Sequence, residues 1–140
     1  MNRRRRTEIL IRGNKCLAKK LAEDIKNKYE VRSIEDPNNG LVMIKMRETA
    51  KRELFYLGEV LVTEAKVYVN GSLGLGIVAG DEYELANNLA IIDGAYKGNL
   101  EEIREWEELL LKEEELIKEK EKIETKKILE TKVDFSTMNV

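Results

Sequence analysis

The 140-residue sequence contains no histidine, a single cysteine, a single proline and few aromatic residues. Without histidine the chain cannot form a Ser-His triad, an imidazole zinc site or a general base that titrates near neutrality without a strong pKa shift. Because Cys16 is alone, an intrachain disulfide and a cysteine metal cluster are excluded, and a reducing, cytoplasmic setting is expected. Any catalysis by the chain alone would depend on carboxylates or lysines.

Charge and hydropathy exclude two further classes of protein. The 25 Lys and Arg residues against 27 Asp and Glu give a formal net charge of -2, which provides no general attraction to nucleic acid. The arginines at 3–6 are not followed by an uninterrupted apolar segment, and no apolar run approaches the length of a membrane span, so secretion and membrane insertion are not expected. We interpret residues 3–6 as a solvated arm, with contact to a phosphate or an acidic partner as the alternative.

The first seventy residues show helical and then strand patterns. An apolar stripe at helical spacing predicts one helix over residues 7–28, near whose stripe Cys16 would pack as a small apolar residue. Turn residues at 37–40 between two runs rich in Val and Ile predict a hairpin. The run 53–69 alternates as a half-buried strand, and Asn70-Gly71 predicts a type I′ turn into the next strand.

That next strand belongs to the stretch LGLGIVAGDE at residues 73–82. Gly74 and Gly76 lie two apart and therefore on one face of the strand, where a backbone, helix or partner can approach closely. With Gly80 they make a G-x-G-x-x-x-G spacing, one residue longer than the dinucleotide fingerprint and placed in a hairpin rather than a parallel βαβ unit. Close packing is the preferred interpretation, and a phosphate cradle at Gly80-Asp81 is the alternative.

The following helix contains a carboxylate in an unusual position. Asp81 and Glu84 form an Asp version of a capping box and predict a helix from Glu82 to about Lys97. Asp93 lies on the apolar stripe of that helix and therefore needs a partner. We expect it to pair with Lys, Arg or backbone at a subunit contact, and a base or ligand-binding carboxylate is the alternative.

The C-terminal part differs in kind from the rest. Residues 101–130 lack Gly and Pro and are dense in charged helix formers, which predicts a long helix with a solvated face. Charges interrupt its seven-residue apolar repeat, so a projecting helix is favoured over an isolated coiled coil. The final TKVDFSTMNV is apolar again, and we expect an extended tail that docks on a partner through Val133, Asp134, Phe135 and Met138.

Three segments together are similar to a known family. GLVMIKMRE, LGEVLVTEAKVYVNGSLGLGIVAGDEYELANNLAIIDGAY and the terminal TKVDFSTM resemble, in this order, the G subunit of the bacterial carbon-phosphorus lyase system, the PhnG family. Members often carry Arg where this chain has Glu64 and Asp81. Those two differences remove potential phosphate ligands and favour packing against a partner subunit over the phosphate cradle.

The resemblance implies a subunit of the carbon-phosphorus lyase core, which serves the use of phosphonates as a phosphorus source. It implies the transferase step in which a phosphonate displaces adenine from ATP, the co-substrate, to give a ribose 1-phosphonate 5-triphosphate (with methylphosphonate, a ribose 1-methylphosphonate 5-triphosphate synthase). The implied partners are the H, I and J subunits in a symmetric complex with two copies of each, and the L subunit acts in the same step. No catalytic residue, metal or cofactor is implied in this chain.

These observations predict an α+β fold: a core domain at residues 1–98, with an N-terminal helix, an antiparallel sheet of hairpins and a packed helix, then a helical arm at 99–140 with an apolar tail. The candidate ligand or interface residues are Gly74, Gly76, Gly80, Asp81 and Asp93. The predicted function is that of a complex subunit. The alternatives are an autonomous small-ligand or nucleotide-binding protein built around Gly80 and Asp93, and a structural adaptor.

Overall fold

A computed structural model of the chain has the predicted α+β class, and it describes the backbone at residues 1–47 and 54–138 and the side chains at 1–43 and 58–130. The strands form one antiparallel sheet in the order β1-β2-β3, and α3 packs across one face of it with α2 behind. The elements are α1 (Arg3–Arg12), α2 (Lys15–Lys28), β1 (Val31–Arg47), β2 (Leu54–Val69), β3 (Ser72–Ala79), α3 (Tyr83–Lys97) and α4 (Ile103–Met138).

The N-terminal pattern forms two helices, so the prediction of a single helix over residues 7–28 is wrong. α1 ends at Arg12, and Asn14 begins α2 by accepting a hydrogen bond from the backbone N–H of Cys16 at 3.0 Å. Asn is among the favoured N-cap residues, which explains why the helix restarts here. The buried stripe of α2 begins at Ala18, and Cys16 is exposed rather than packed against it.

β1 is one long edge strand, and the hairpin predicted at residues 37–40 does not form. Its register with β2 shifts between Ser33 and Glu35 and again between Glu35 and Asn38, so the strand accommodates Pro37 in a β-bulge. Proline is tolerated at edges and bulges because its missing N–H is not needed there for the ladder. The turn residues therefore bend the edge of the sheet and do not reverse the chain.

β2 and β3 form the predicted hairpin. Asn70 at φ 47° and Gly71 at φ 87° make its turn, and a type I′ turn requires positive φ at both positions. One face of β2 is buried from residue 63 onward and the opposite face is half-buried over the same stretch, as the alternation predicted. The buried residues are Thr63, Ala65, Val67 and Val69.

Gly74 and Gly76 mark the place where α3 lies directly on β3. A Cβ at Gly74 would come 2.6 Å from the backbone nitrogen of Gly94 and closer still to the carbonyl oxygen of Ala90. A Cβ at Gly76 would come 2.7 Å from the backbone nitrogen of Ala90. In a close-packed interior such overlaps would displace the helix. The expected close approach is therefore present, and the element that approaches is α3 of the same chain.

α4 begins in the core and then projects from it, as the charged sequence predicted. Trp106 and Leu110 are fully buried, so the core continues past residue 98, whereas every residue from 121 to 130 is exposed. α1 runs parallel to the first half of α4. Three ion pairs link α1 and the N-terminus to α4: the Met1 ammonium to Glu107, Arg5 to Glu114, and Arg12 to Glu121. Their acidic partners are seven residues apart on α4.

The C-terminal tail is helical, which corrects the expectation of an extended segment. α4 continues through Met138, and residues 131–138 contain neither Gly nor Pro to end it. Adding residues to an existing helix is far easier than nucleating one, so the helix extends until a breaker is met. The side chains of the tail lie outside the described residues. No helix in the described ranges is both long and apolar enough to span a membrane.

Candidate functional site

Asp93 is a carboxylate near the C-terminal end of α3 that is 4% exposed. Its Oδ1 accepts a hydrogen bond from Nη2 of Arg6 at 2.6 Å, and its Oδ2 accepts the backbone N–H of Leu75 at 3.0 Å. Nζ of Lys97 lies 3.2 Å from Oδ2, and Nε of Arg3 lies 3.5 Å from Oδ1. The predicted pairing with Arg, Lys and backbone is therefore present, but the chain supplies all of these partners itself, so Asp93 is paired within the fold and not at the expected subunit contact.

The surroundings of Asp93 hold it in the ionised form. Burial is the largest influence and opposes ionisation, but the Leu75 N–H and the Arg6 guanidinium, helped by Arg3 and Lys97, outweigh it and lower the pKa of Asp93. A general base works best when its pKa is near the operating pH. Because its pKa is lowered and both oxygens are occupied, Asp93 is suited to joining α1, β3 and α3 rather than to removing protons.

Arg6 extends this cluster toward α4. The side chain is 6% exposed, and its guanidinium carbon lies 4.1 Å from the ring centre of Tyr96, a cation-π geometry. The Tyr96 ring contacts Trp106 of α4 at 6.0 Å between centroids. Burial raises the pKa of Tyr96, whose buried hydroxyl has no hydrogen-bond partner among the described residues. Three helices therefore meet around one ion pair.

This cluster corrects the interpretation of the basic patch. Residues 3–6 form the first turn of α1, in which Arg3, Arg4 and Arg5 are exposed, as expected, but Arg6 is buried. Arg6 precedes Ile9 and Leu10 by three and four positions, so all three lie on the buried stripe of the helix. This spacing was visible in the sequence and could have indicated that Arg6 is buried and needs an acidic partner.

The Gly80-Asp81 turn borders an open pocket of about 440 Å³ at the N-terminal end of α3. Gly80 has φ 94°, which turns the chain out of β3. Thr63 Oγ1 accepts the N–H of Glu82 at 3.0 Å and lies 2.7 Å from the carbonyl oxygen of Gly80. Oδ1 of Asp81 accepts a hydrogen bond from Nδ2 of Asn39 at 3.4 Å. The capping predicted for Asp81 is wrong, because the N-cap residue is Glu82, its N–H is bound by Thr63, and its side chain makes no capping hydrogen bond.

The charges around this pocket do not favour an anion. Three acidic side chains and two lysines line it: Asp81, Glu82, Glu84, Lys15 and Lys19. Lys15 pairs with Glu82, and Nζ of Lys19 lies 3.9 Å from Glu84. Because both lysines have acidic partners and the acidic groups outnumber them, a phosphate would meet net repulsion. This geometry weighs against the phosphate cradle.

The candidate residues do not converge on one site. Gly74 and Gly76 lie beneath α3, while Gly80 and Asp81 precede its first turn. Asp93 comes ten residues after Tyr83, the start of α3, which is about 15 Å along the helix axis. The described ranges contain no group of three or more His, Cys, Asp or Glu placed to hold a metal. Val133, Asp134, Phe135 and Met138 lie in the last turns of α4.

Thr63 has a structural role beside the pocket that the sequence did not identify. It is fully buried and lies on the same face of β2 as Ala65, Val67 and Val69. Its hydroxyl accepts the N–H of Glu82, which lies nineteen residues later in the chain, just before α3. Because no local spacing connects the two, tertiary structure alone shows this role.

Fold and site together define a small α+β protein whose buried polar cluster fastens its own helices and whose long last helix projects from the core. The family model for the phosphonate metabolism protein PhnG matches residues 1–139, and the chain belongs to this family. The family places the chain in phosphonate metabolism as a subunit of a carbon-phosphorus lyase complex, which implies partner subunits. Comparison with curated proteins gave no match.

Proposed function

We propose that the chain is an assembly subunit that supports the step in which a phosphonate displaces adenine from the ribose of ATP. The product is a ribose 1-phosphonate 5-triphosphate, so the reaction is a group transfer with ATP as co-substrate. The match of the PhnG model to residues 1–139 carries the proposal. Asp93 weighs against a general base in this chain, because its pKa is lowered and its oxygens are bound by other groups.

The proposed partners are the H, I and J subunits, with two copies of each in a symmetric cytoplasmic complex and the L subunit acting in the same step. The projecting half of α4 provides a surface for them. Ile128 and Leu129, which are neighbours on the helix, are 67% and 56% exposed, and adjoining exposed apolar groups are typical of interaction surfaces. Helical spacing groups Phe135 and Met138 with Ile128, so the tail would dock as a helix face.

Co-expression of the full-length chain with the H, I and J candidates from the same genome tests this proposal. We expect one complex that contains all four proteins in size-exclusion chromatography with light scattering. Genes for H, I, J, K and L subunits beside the gene for this chain would agree with that result. A chain that purifies free of every candidate would contradict the proposal and would favour an autonomous binding protein or an unrelated adaptor.

A further inference from the structure

β1 and β2 extend past β3 as a two-stranded ribbon, formed by residues 41–47 and 54–61. β3 pairs with β2 only from Val62 to Val69, whereas β1 pairs with β2 as far as Arg47 and Leu54. At about 3.3 Å per residue, the seven ribbon residues of β1 reach about 23 Å beyond the three-stranded part of the sheet. The ribbon is therefore an arm.

The described side chains of the ribbon are almost all apolar. At residues 41–43 and 58–61 the single charge is Glu59. The pairing places Leu41 opposite Leu61 on one face and Val42 opposite Val60 on the other. Both faces of the arm therefore present apolar groups. The strongly exposed ones are Leu41 at 65%, Met43 at 54%, Val42 at 47% and Leu61 at 41%.

The three-stranded part of the same sheet has a different surface on its uncovered face. There Lys66 lies 3.7 Å from Glu35 and 4.0 Å from Glu64, and the Arg32 guanidinium lies 5.4 Å from the Tyr68 ring centre. These charges have local partners and suit contact with water. The exposed apolar residues of this part, Ile34, Leu73 and Ile77, lie on the same sheet as these charges, whereas the described side chains of the ribbon carry Glu59 as their single charge.

We propose that the ribbon inserts into an apolar cleft on a partner subunit of the complex, a polypeptide different from this chain. A lone two-stranded ribbon is marginally stable in water, and a cleft that covers both faces removes its apolar area from solvent. A flat surface would cover one face only. A lipid bilayer does not fit, because the N–H and C=O groups along the outer edge of β1 would lose water without gaining partners.

A second copy of this chain is a poorer occupant of the proposed interface. Three pockets on the described surface range from about 170 to 440 Å³, and five or six charged side chains line each of them. Desolvating those charges against an apolar ribbon would cost free energy. The ribbon proposal rests on the proposed function, because its partner is one of the subunits named there.

Two matched variants of the full-length chain, each co-expressed with the H, I and J candidates, test the ribbon. Leu41→Thr with Leu61→Thr makes one ribbon face polar while keeping β-forming residues. Ile77→Thr is the control, because Ile77 is 51% exposed and lies opposite Glu64 in the three-stranded part. We expect the ribbon variant to bind the partner at least tenfold more weakly, and Ile77→Thr to assemble like wild type.

Hydrogen exchange on wild-type protein gives a second measurement that needs no variant. We expect the amides of residues 41–43 and 58–61 to exchange at least tenfold more slowly in the complex than in the free full-length chain, while those of 73–77 change little. Wild-type assembly by the ribbon variant, or unchanged exchange in the ribbon, would overturn the proposal. A dimer of the chain alone that the two Thr substitutions dissociate would also overturn it, in favour of a second copy. If wild type assembles with no candidate, the proposed function fails and the ribbon proposal with it.

Discussion

Replacing Gly76 by alanine measures how closely α3 lies on the sheet. The new Cβ would come 2.7 Å from the Ala90 nitrogen and 3.2 Å from Cβ of Leu89, and closer still to the carbonyl oxygen of Ala86. Two of these atoms belong to the helix backbone, so the overlap can be relieved only by moving α3. Ten residues of α3 are buried, and the Asp93 cluster depends on its position. We expect Gly76→Ala to lower the free energy of unfolding by about 3 kcal/mol, the upper part of the usual overpacking range.

Gly40→Ala is the matched control, because no atom lies within 4 Å of the Cβ it would introduce in β1. We expect the control to stay within about 0.5 kcal/mol of wild type. Urea and thermal unfolding of the full-length variants, followed by circular dichroism, measure both values. A loss of 3 kcal/mol corresponds to a decrease of about 10 °C in Tm for a chain of this size. Equal midpoints for the two variants would refute backbone contact between β3 and α3.

Three further perturbations address the ion pairs and the tail. Asp93→Asn leaves Arg6 buried without its counter-charge and should cost about 3 kcal/mol or more in chemical denaturation. Folding lowers the pKa of Asp93, so its ionised form contributes to the free energy of unfolding above the unfolded pKa of about 4. This contribution is lost as the pH falls through the lower folded pKa. Wild type should therefore lose more stability below pH ~4 than Asp93→Asn does. The hydrogen bond from Arg5 lowers the pKa of Glu114 to about 2, and Arg5→Gln should return it toward 4.5 in an NMR titration; an unchanged value would contradict the pairing. A chain that ends at Glu130 should keep its circular dichroism per residue yet co-purify poorly with H, I and J. Recovery of the complex at the wild-type level would show that the tail is not part of the interface.

The features that sequence predicted correctly have local physical causes. Asn70-Gly71 tolerates positive φ at two successive positions, so the β2-β3 hairpin was visible in a dipeptide. Gly74 and Gly76 share a strand face by alternation, which predicted the close approach of another element. The charged run without Gly or Pro predicted α4. Asp93 on an apolar stripe required a partner, and a partner is present.

The errors arise where distant contacts decide between local alternatives. Turn residues around Pro37 can reverse a chain or form a bulge, and pairing along the whole of β2 selects the bulge. Asp81 has the chemistry of a cap, but the Thr63 hydroxyl reaches the helix end from β2. Neither outcome follows from spacing along the chain. The division into α1 and α2 is a different kind of error, because Gly13 followed by the favoured N-cap residue Asn14 is a local signal.

Release of adenine from ATP in the presence of methylphosphonate tests the proposed supporting role most directly. The measurement compares the H, I and L subunits with the wild-type chain, the same subunits without it, and the chain alone. We expect the full mixture to release adenine, omission of the chain to lower the rate at least tenfold, and the isolated chain to release none. Adenine release by the clean isolated chain, or an undiminished rate without it, would contradict a supporting role for this protein.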